Sequence, residues 1–332
     1  MKYGSIGIQL GQRKVKIAQI ALDEKQFRVI EMISVPTPEG SLTDGYVKTP
    51  RVLGDSIGRA IDSSKFHGNR AMVAIPSEIL KIYLLSIPKT ANLDRYIASK
   101  LSQMAFEHPE DLTFDYKVAN TKDTAIVAVT NKRHIAKIRE VASEAGLKLI
   151  GTDLEMLSIY RHIGKCYRTK KNPIVIALFT PPKLKIAFFT DAILSQLTVT
   201  NYIIGGIVKP DKPMLEAFTD SLETFKRNNI ITNPPSIFLA GLSYADTDIE
   251  RFLWINLGLT TTAIRWSQLF NVSDRYRDID ELIKRFGAYS CSLGLSIADI
   301  QINSQFSNPI IPDVRIPDYD PTLYNFPQRI EK

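Results

Sequence analysis

Short apolar runs separated by turn residues open the chain. "SIGIQL" is followed by Gly11-Gln12-Arg13 and then "KVKIAQIAL". A further turn at Asp23-Glu24 leads into "FRVIEMISV". Runs of this length, rich in β-branched residues and broken by turn formers, predict three consecutive strands. The pattern is then written a second time. "IVIALF", Pro181-Pro182, "KLKIAFFTD" and "ILSQLTVTNY" repeat the order strand, tight turn, strand, turn, strand. Lys14 opens the central strand of the first copy and Lys183 that of the second, an offset of 169 residues (183 minus 14). A duplication at about half the chain length predicts two similar lobes facing each other.

Helical periodicity fills the intervals. Thr49 is placed to cap a helix with Pro50 at its first position, and Val52, Leu53, Ile57 and Ile61 are expected to line its inner face. "NRAMVAIPS" reads as a buried strand. From about Leu80 to Leu149 the order becomes strand ("KIYLLSIP"), helix, two strands ("DLTFDYKV", "DTAIVAV") and helix, which predicts a compact α+β insert. Its first helix is capped by Asn92 and carries Leu93, Ile97, Leu101 and Met104, ending before His108-Pro109. Its second runs from Lys132 with Ile135, Ile138 and Val141 inward, and Gly146 closes it. Farther on, Pro213 starts a helix with Met214, Phe218, Leu222 and Phe225 inward, and "PSIFLAGLSYAD" is a strand running into a turn. "ELIKRFGAYSCSLGLSI" is a last helix whose small residues suit close packing on a sheet. The end of the chain is proline-rich and aperiodic, as an extended strap or linker would be.

Composition narrows the function classes. With 332 residues, the chain can bury a large core without covalent staples. Its two cysteines, Cys166 and Cys291, imply no disulfide framework and suit a reducing cytoplasm. The opening "MKYGSIGIQL" lacks the apolar core of a signal peptide, and no apolar run approaches the roughly 20 residues of a membrane span. The formal charge of +7 comes from scattered lysines and arginines, with only "TKK" at 169–171 clustered. No basic and aromatic stripe is present, so no nucleic-acid partner is expected.

Five segments, in their order, resemble the PilM family, the actin-like proteins of type IV pilus assembly. They are "GIQLGQRKVKIAQI" at 7–20, "VPTPEGSLTDGYVKTPRVLGDSI" at 35–57, "AMVAIPSEILKIYLLSIP" at 71–88, "HPEDLTFDYKV" at 108–118 and "AIVAVTNKRHIAKIREVASEAGLKLIGTDLEMLSIYR" at 125–161. The second half is similar in outline through Gly205-Gly206, "IFLAG" and "GAYSCSLGLSI". The resemblance implies an α/β, bilobed actin-like fold of the duplicated ribonuclease H type. Residues 1–79 and 150–168 would form the first lobe (1A). Residues 80–149 would be an inserted subdomain of the 1C type seen in the division protein FtsA. Residues 172–300 would be the second lobe (2A/2B), and 301–332 a proline-rich tail.

It further implies a cytoplasmic scaffold, peripheral to the inner membrane, that binds a short N-terminal peptide of a PilN-like inner-membrane protein. Contact with pilus motor ATPases and assembly into a homo-oligomer or ring are implied as well. The peptide groove is expected near Tyr83, Leu85, Ile97 and Leu101. The cytoplasmic domain of the type II secretion L-protein is a related alternative.

Actin-like ATPases hold Mg²⁺ through acids on the two hairpins and cradle phosphates with turn amides. The positions matching these motifs are Gly7, Gln9, Gly11, Gln12 and Arg13 on the first hairpin, and Leu178, Thr180, Gly205, Gly206 and Gly241 in the second half. Gln9 adds no negative charge. Leu178 cannot serve a hydrated metal, and Pro181-Pro182 removes two backbone donors. The expectation is a pseudo-ATPase with no cofactor, not an enzyme. An ATP- and Mg-binding actin-like ATPase or sugar kinase is the alternative.

Other constellations are sparse. His162 and Cys166 lie one helical turn apart, two metal ligands where a structural zinc needs four, so a buried pair is expected. His67, His108 and His134 are expected to be surface or packing residues. Asp153 and Glu155 could be catalytic carboxylates, but acids also favour a helix N-terminus, and that role is expected. No GxSxG elbow, HExxH helix or Walker A loop occurs.

Overall fold

The computed structural model describes residues 1–24, 26–88, 92–104, 108–118, 123–166, 173–190, 193–201, 212–227, 235–242, 248–265, 270–272 and 285–302. The chain enters with β1 (Lys2–Tyr3) and then the predicted meander, β2 (Ile6–Gln9), β3 (Lys14–Asp23) and β4 (Gln26–Pro36). A small hairpin follows, β5 (Leu42–Thr43) and β6 (Tyr46–Val47). Its two-residue turn is Asp44-Gly45, both at positive φ (48° and 78°), the conformation that matches strand twist in a tight hairpin. Helix α1 (Pro50–Asp62) leads to β7 (Arg70–Ile75). Between β7 and β11 come β8 (Lys81–Ser86), α2 (Leu93–Gln103), β9 (Leu112–Val118), β10 (Thr124–Asn131) and α3 (Lys132–Glu144). The first four form the insert around a small core of their own, whereas Ile135, Ile138 and Val141 of α3 join the main core beside Leu53 and Ile57 of α1, contrary to the 80–149 assignment. β11 (Lys148–Leu154) and α4 (Glu155–Cys166) complete the first half. The second contains β12 (Ile174–Thr180), β13 (Lys183–Thr190), β14 (Ile193–Asn201), α5 (Lys212–Arg227), β15 (Ser236–Ala240), α6 (Asp248–Leu257), β16 (Thr261–Ala263), β17 (Phe270–Val272) and α7 (Ser290–Ile302).

The described strands form two main sheets and two small ones. The first main sheet has the order β11-β7-β2-β3-β4-β17, with β1 added beside β3. The second has the order β14-β13-β12-β15-β16. In each, an antiparallel meander is extended by parallel strands on its first-strand side, so the duplication is one of topology. The register repeats too. Gln9 lies opposite Lys16 on β3, and Leu178 lies opposite Lys185 on β13. The described strands thus build a duplicated, bilobed α/β protein.

The C-terminal part does not stay in the second lobe, contrary to the 172–300 assignment. β17 pairs in parallel with β4, satisfying an otherwise open edge of the first sheet. α7 lies on β2 and β3. Ser292 Oγ donates to the Lys16 carbonyl (2.8 Å), and Ser296 Oγ accepts from the Ile20 amide (3.1 Å). That amide sits at a register shift between Gln19 and Ile20, so the helix supplies the partner that the ladder lacks. The small residues of this segment permit the approach. A Cβ on Gly7 would lie 2.0 Å from the Ser292 carbonyl oxygen.

Two local expectations are corrected. Thr49 makes no side-chain cap, and Val52 points outward; the buried face of α1 is Leu53, Gly54, Ile57 and Gly58. Gly54 and Gly58 face the end of α3 so closely that Cβ atoms there would meet Val141 and Ala145 backbone, which fixes the helix rotation. Asn92 does cap α2, accepting from the Arg95 amide (3.2 Å), and Gly146 closes α3 at φ +71°. Gly205, Gly206 and the tail from residue 303 lie outside the described residues.

Candidate functional site: the cleft between the lobes

Four segments converge where the two sheets face each other. β2 ends at Gln9. β7 runs through Pro76 into a single 3₁₀ turn at Ser77–Ile79. β11 gives way to α4 at Glu155. From the second lobe, β13 presents Lys185. Glu155 is the centre of a buried network. Its Oε1 accepts from Gln9 Nε2 (2.9 Å). Its Oε2 accepts from the Ser77 amide (3.0 Å), Ser77 Oγ (2.9 Å) and Lys185 Nζ (2.7 Å). Lys185 Nζ also pairs with Glu78 Oε2 at 2.8 Å. The side chains of Lys185 and Glu155 are 2% and 1% exposed.

Charges this deep persist only when paired and hydrogen-bonded. Burial by itself would raise the Glu155 carboxyl. The Lys185 ammonium and the hydrogen bonds from Gln9, Lys185 and Ser77 outweigh it and hold Glu155 below its usual range. Burial would likewise lower the ammonium, but Glu155 and Glu78 together raise it above its ordinary value. A second lysine acts on the same face of β13. Lys183 Nζ lies 2.7 Å from Asp44 Oδ1 at the turn of the β5–β6 hairpin. Both bridges run from the second lobe to the first.

The positions matching nucleotide motifs have divided roles. Gly7 is buried beneath α7, and Gln9 is buried in the network. Gln12 and Arg13 are exposed at the hairpin tip, where Gly11 and Arg13 present carbonyls to Thr37 Oγ1 (2.6 Å) and the Thr37 amide (3.0 Å). Leu178 is buried core. Thr180 is half-buried, and its Oγ1 has no hydrogen-bond partner among the described residues. Gly241 adopts φ +83°, and a Cβ there would lie 2.3 Å from the Phe179 carbonyl, so its turn demands glycine for architectural reasons.

Asp153 and Glu155 do flank the start of α4, yet each has a specific partner beyond the helix dipole. Asp153 Oδ2 pairs with Arg161 (2.7 Å) and accepts from Ser158 Oγ (3.2 Å). The Lys185 partnership is what sequence reading missed, although the repeat offset that places Lys185 opposite Leu178 was a signal for it. The side chain of Cys166 lies outside the described residues. His162 is fully buried between Phe270 and Phe286, and neither ring nitrogen has a hydrogen-bond partner among the described residues.

Burial lowers His162 to about 3 from an ordinary 6.5. Its folded pKa is depressed, so the unfolded chain binds the extra proton between these values. Stability attributable to His162 is complete above about pH 6.5. It is expected to fall by about 1.4 kcal/mol per pH unit as pH drops toward 3. Urea titrations of the wild type and His162→Phe should therefore diverge below pH 6.5. Parallel curves would sink this assignment.

In the insert, Ile97 and Leu101 are fully buried. Tyr83 and Leu85, opposite Val127 and Ala125, are half-buried against the same small core. They hold α2 onto the sheet β8-β10-β9, so Ile97 and Leu101 offer a partner no surface. The other face carries Leu84, 50% exposed beside buried Ile126, together with Asp115, which burial pushes up to about 6.

No family model matches the sequence, and no curated protein matches it. The fold, however, is similar to solved structures. A chain of the "PilM-PilN type IV pilus biogenesis complex" superposes with a TM-score of 0.76 at 14% identity, covering 90% of this chain and 98% of that one. The cytoplasmic domain of EpsL, an inner-membrane component of the type II secretion system of Vibrio cholerae, gives 0.49 at 12% identity over 90% and 95%. The ethanolamine utilization protein EutJ from Carboxydothermus hydrogenoformans gives 0.49 at 11% over 90% and 90%. The first of these likenesses shows the fold: the chain has a bilobed, duplicated α/β fold of the actin-like type, similar to that of the chain in the PilM-PilN complex.

Proposed function

We propose that this protein is an actin-like adaptor of a type IV pilus-type assembly machine. It acts in the cytoplasm, peripheral to the inner membrane, and binds the N-terminal peptide of a PilN-like membrane protein. The observation that carries this reading is the likeness over nearly the full length of both chains to a protein solved as a PilM-PilN complex. The sheet β8-β10-β9 with α2 is read as the 1C-type subdomain that receives the peptide. Leu84 is its exposed large apolar side chain among the described residues. The peptide is expected to cover the Leu84 face, opposite the face that Tyr83 and Leu85 give to the core. No helix among the described residues is long and apolar enough to cross a membrane, so a membrane partner would supply the attachment. Contacts with motor ATPases and ring formation belong to the same reading.

ATP hydrolysis is not part of this proposal, for a reason of charge. An Mg-nucleotide needs uncompensated acids around the metal and amide donors around the phosphates. Here the Glu155 carboxylate is already bound to Lys185, and Gln9 is neutral. Leu178 faces the core, and the second hairpin turns on Pro181-Pro182. Among the described residues, those at the cleft do not fit the group.

Titration calorimetry with the membrane partner's cytoplasmic N-terminal peptide tests the function. Binding in the micromolar range is expected. Leu84→Asp should weaken it about tenfold or more while leaving the melting temperature unchanged, as loss of an exposed apolar anchor does. No binding at high micromolar peptide would overturn the adaptor role. Micromolar Mg-ATP affinity with phosphate release would overturn the claim that no hydrolysis occurs.

A further inference from the structure

The cleft network has the composition of a hard-cation site. Its oxygens come from two carboxylates, Glu155 and Glu78, one hydroxyl, Ser77 Oγ, and one amide, Gln9. Oxygen donors of this kind suit Mg²⁺, Mn²⁺ or Ca²⁺. The cation actually held there is the Lys185 ammonium, 2.7 and 2.8 Å from the two carboxylates. One atom remains unused. Gln9 Oε1 is buried and has no hydrogen-bond donor among the described residues. Its amide is thus oriented by Glu155 alone and keeps an acceptor in reserve inside the site. No group of three or more His, Cys, Asp or Glu among the described residues is arranged for a metal, so the amide and hydroxyl would have to complete any coordination.

We propose that Lys185 is a built-in substitute for a divalent cation: the chain fills an inter-lobe cation cradle with its own second-lobe lysine, latching the lobes without a ligand. The latch is double, because Lys183 bridges to Asp44 from the same face of the same strand. A mobile cation would let the cleft open when it dissociated. A tethered one cannot leave, so the closed arrangement becomes a constant of the fold. A peptide surface on the insert would then be presented in one geometry. The proposal goes beyond the adaptor reading and does not depend on it. Cation response reports on the cleft and peptide affinity on the insert, so either can fail alone.

The test removes the ammonium in two ways. Lys185→Ala leaves two carboxylates facing vacated space, whereas Lys185→Met fills the space with hydrocarbon. Melting temperatures are measured in EDTA and in 10 mM Mg²⁺, Mn²⁺ or Ca²⁺. K185A is expected to melt about 5–10 °C below the wild type in EDTA and to recover about 3 °C or more in at least one cation. The wild type, K185M and the double variant K185A/E155Q should shift by less than about 1 °C. If K185A does not fold in EDTA, refolding from urea with the cation present should recover it. The absence of any response in K185A, or failure to refold in every condition, overturns the proposal. An equal response from the wild type or from K185A/E155Q overturns it as well, since the cation would then bind elsewhere.

Discussion

Lys185→Met is expected to lower the unfolding free energy by about 3–5 kcal/mol, the cost of stranding a buried carboxylate without its partner. Glu155 would keep the Ser77 and Gln9 hydrogen bonds but lose its counter-charge, with Glu78 nearby. The double variant K185M/E155Q should regain part of the loss, because it removes the fully buried carboxylate and leaves only Glu78, 12% exposed, without its lysine. The coupling in the double-mutant cycle should be about 2 kcal/mol or more. The pH dependence has two limbs. Glu155 is held below its ordinary 4.5, so its contribution is full above that pH and is lost as pH falls through the folded value. Lys185 is raised above 10.5, so its contribution is full below that pH and is lost as pH rises through the folded value. The wild type's own stabilisation from this pair should therefore be flat between about pH 5 and 10, whereas the difference from K185M should shrink from a higher pH on the acid side, because without Lys185 burial raises the Glu155 carboxyl. Urea titrations across this range provide the check. A difference under about 1 kcal/mol at pH 7 would show that the cleft ion pair is dispensable.

Gly294→Ala is expected to be as damaging, by a different route. The added Cβ would sit 1.8 Å from the Ser158 carbonyl oxygen, at the crossing of α7 and α4. That neighbour is backbone and cannot rotate away, so the helices must separate. Overpacking of a well-packed core costs about 1–3 kcal/mol and sometimes more. The higher end applies here, because α7 also carries the Ser292 and Ser296 bonds to β3. Gly151→Ala is the control. Its nearest contact would be the flexible end of Met72 at 3.6 Å, and its loss should stay under about 1 kcal/mol. Equal thermal shifts for the two variants would contradict the packing account.

Much of the fold was legible because its signals are local. The two hairpins announce themselves by apolar runs and turn residues, and their register repeats as the 169-residue offset requires. Asn92 and Gly146 end helices through chemistry that spans three or four residues. Val52 was misplaced because an apolar side chain at a plausible helical spacing does not say how the helix is rotated; Gly54 and Gly58 decide that by their fit against α3. The return of β17 and α7 to the first lobe was illegible for a related reason. Pairing β17 with β4 joins segments more than 230 residues apart, and nothing in either strand names its neighbour.

The candidate site divides along the same line. The residue types at the cleft were readable: a glutamine where an acid is expected, a leucine at the equivalent position and two prolines in the second turn. Their consequence for charge was not. Glu155 alone reads as an acid at a helix start, and Lys185 alone as one more scattered lysine. By itself, the sequence determined that the chain is duplicated, that it folds as two similar lobes with an insert, and which residues stand in the two hairpin turns. These follow from periodicity and backbone preference, which act over a few residues. Only the tertiary structure decided that a second-lobe lysine neutralises first-lobe carboxylates, and that Ile97 and Leu101 belong to a core. Burial and Coulombic pairing depend on distances in space, and those exist only once both lobes are in place.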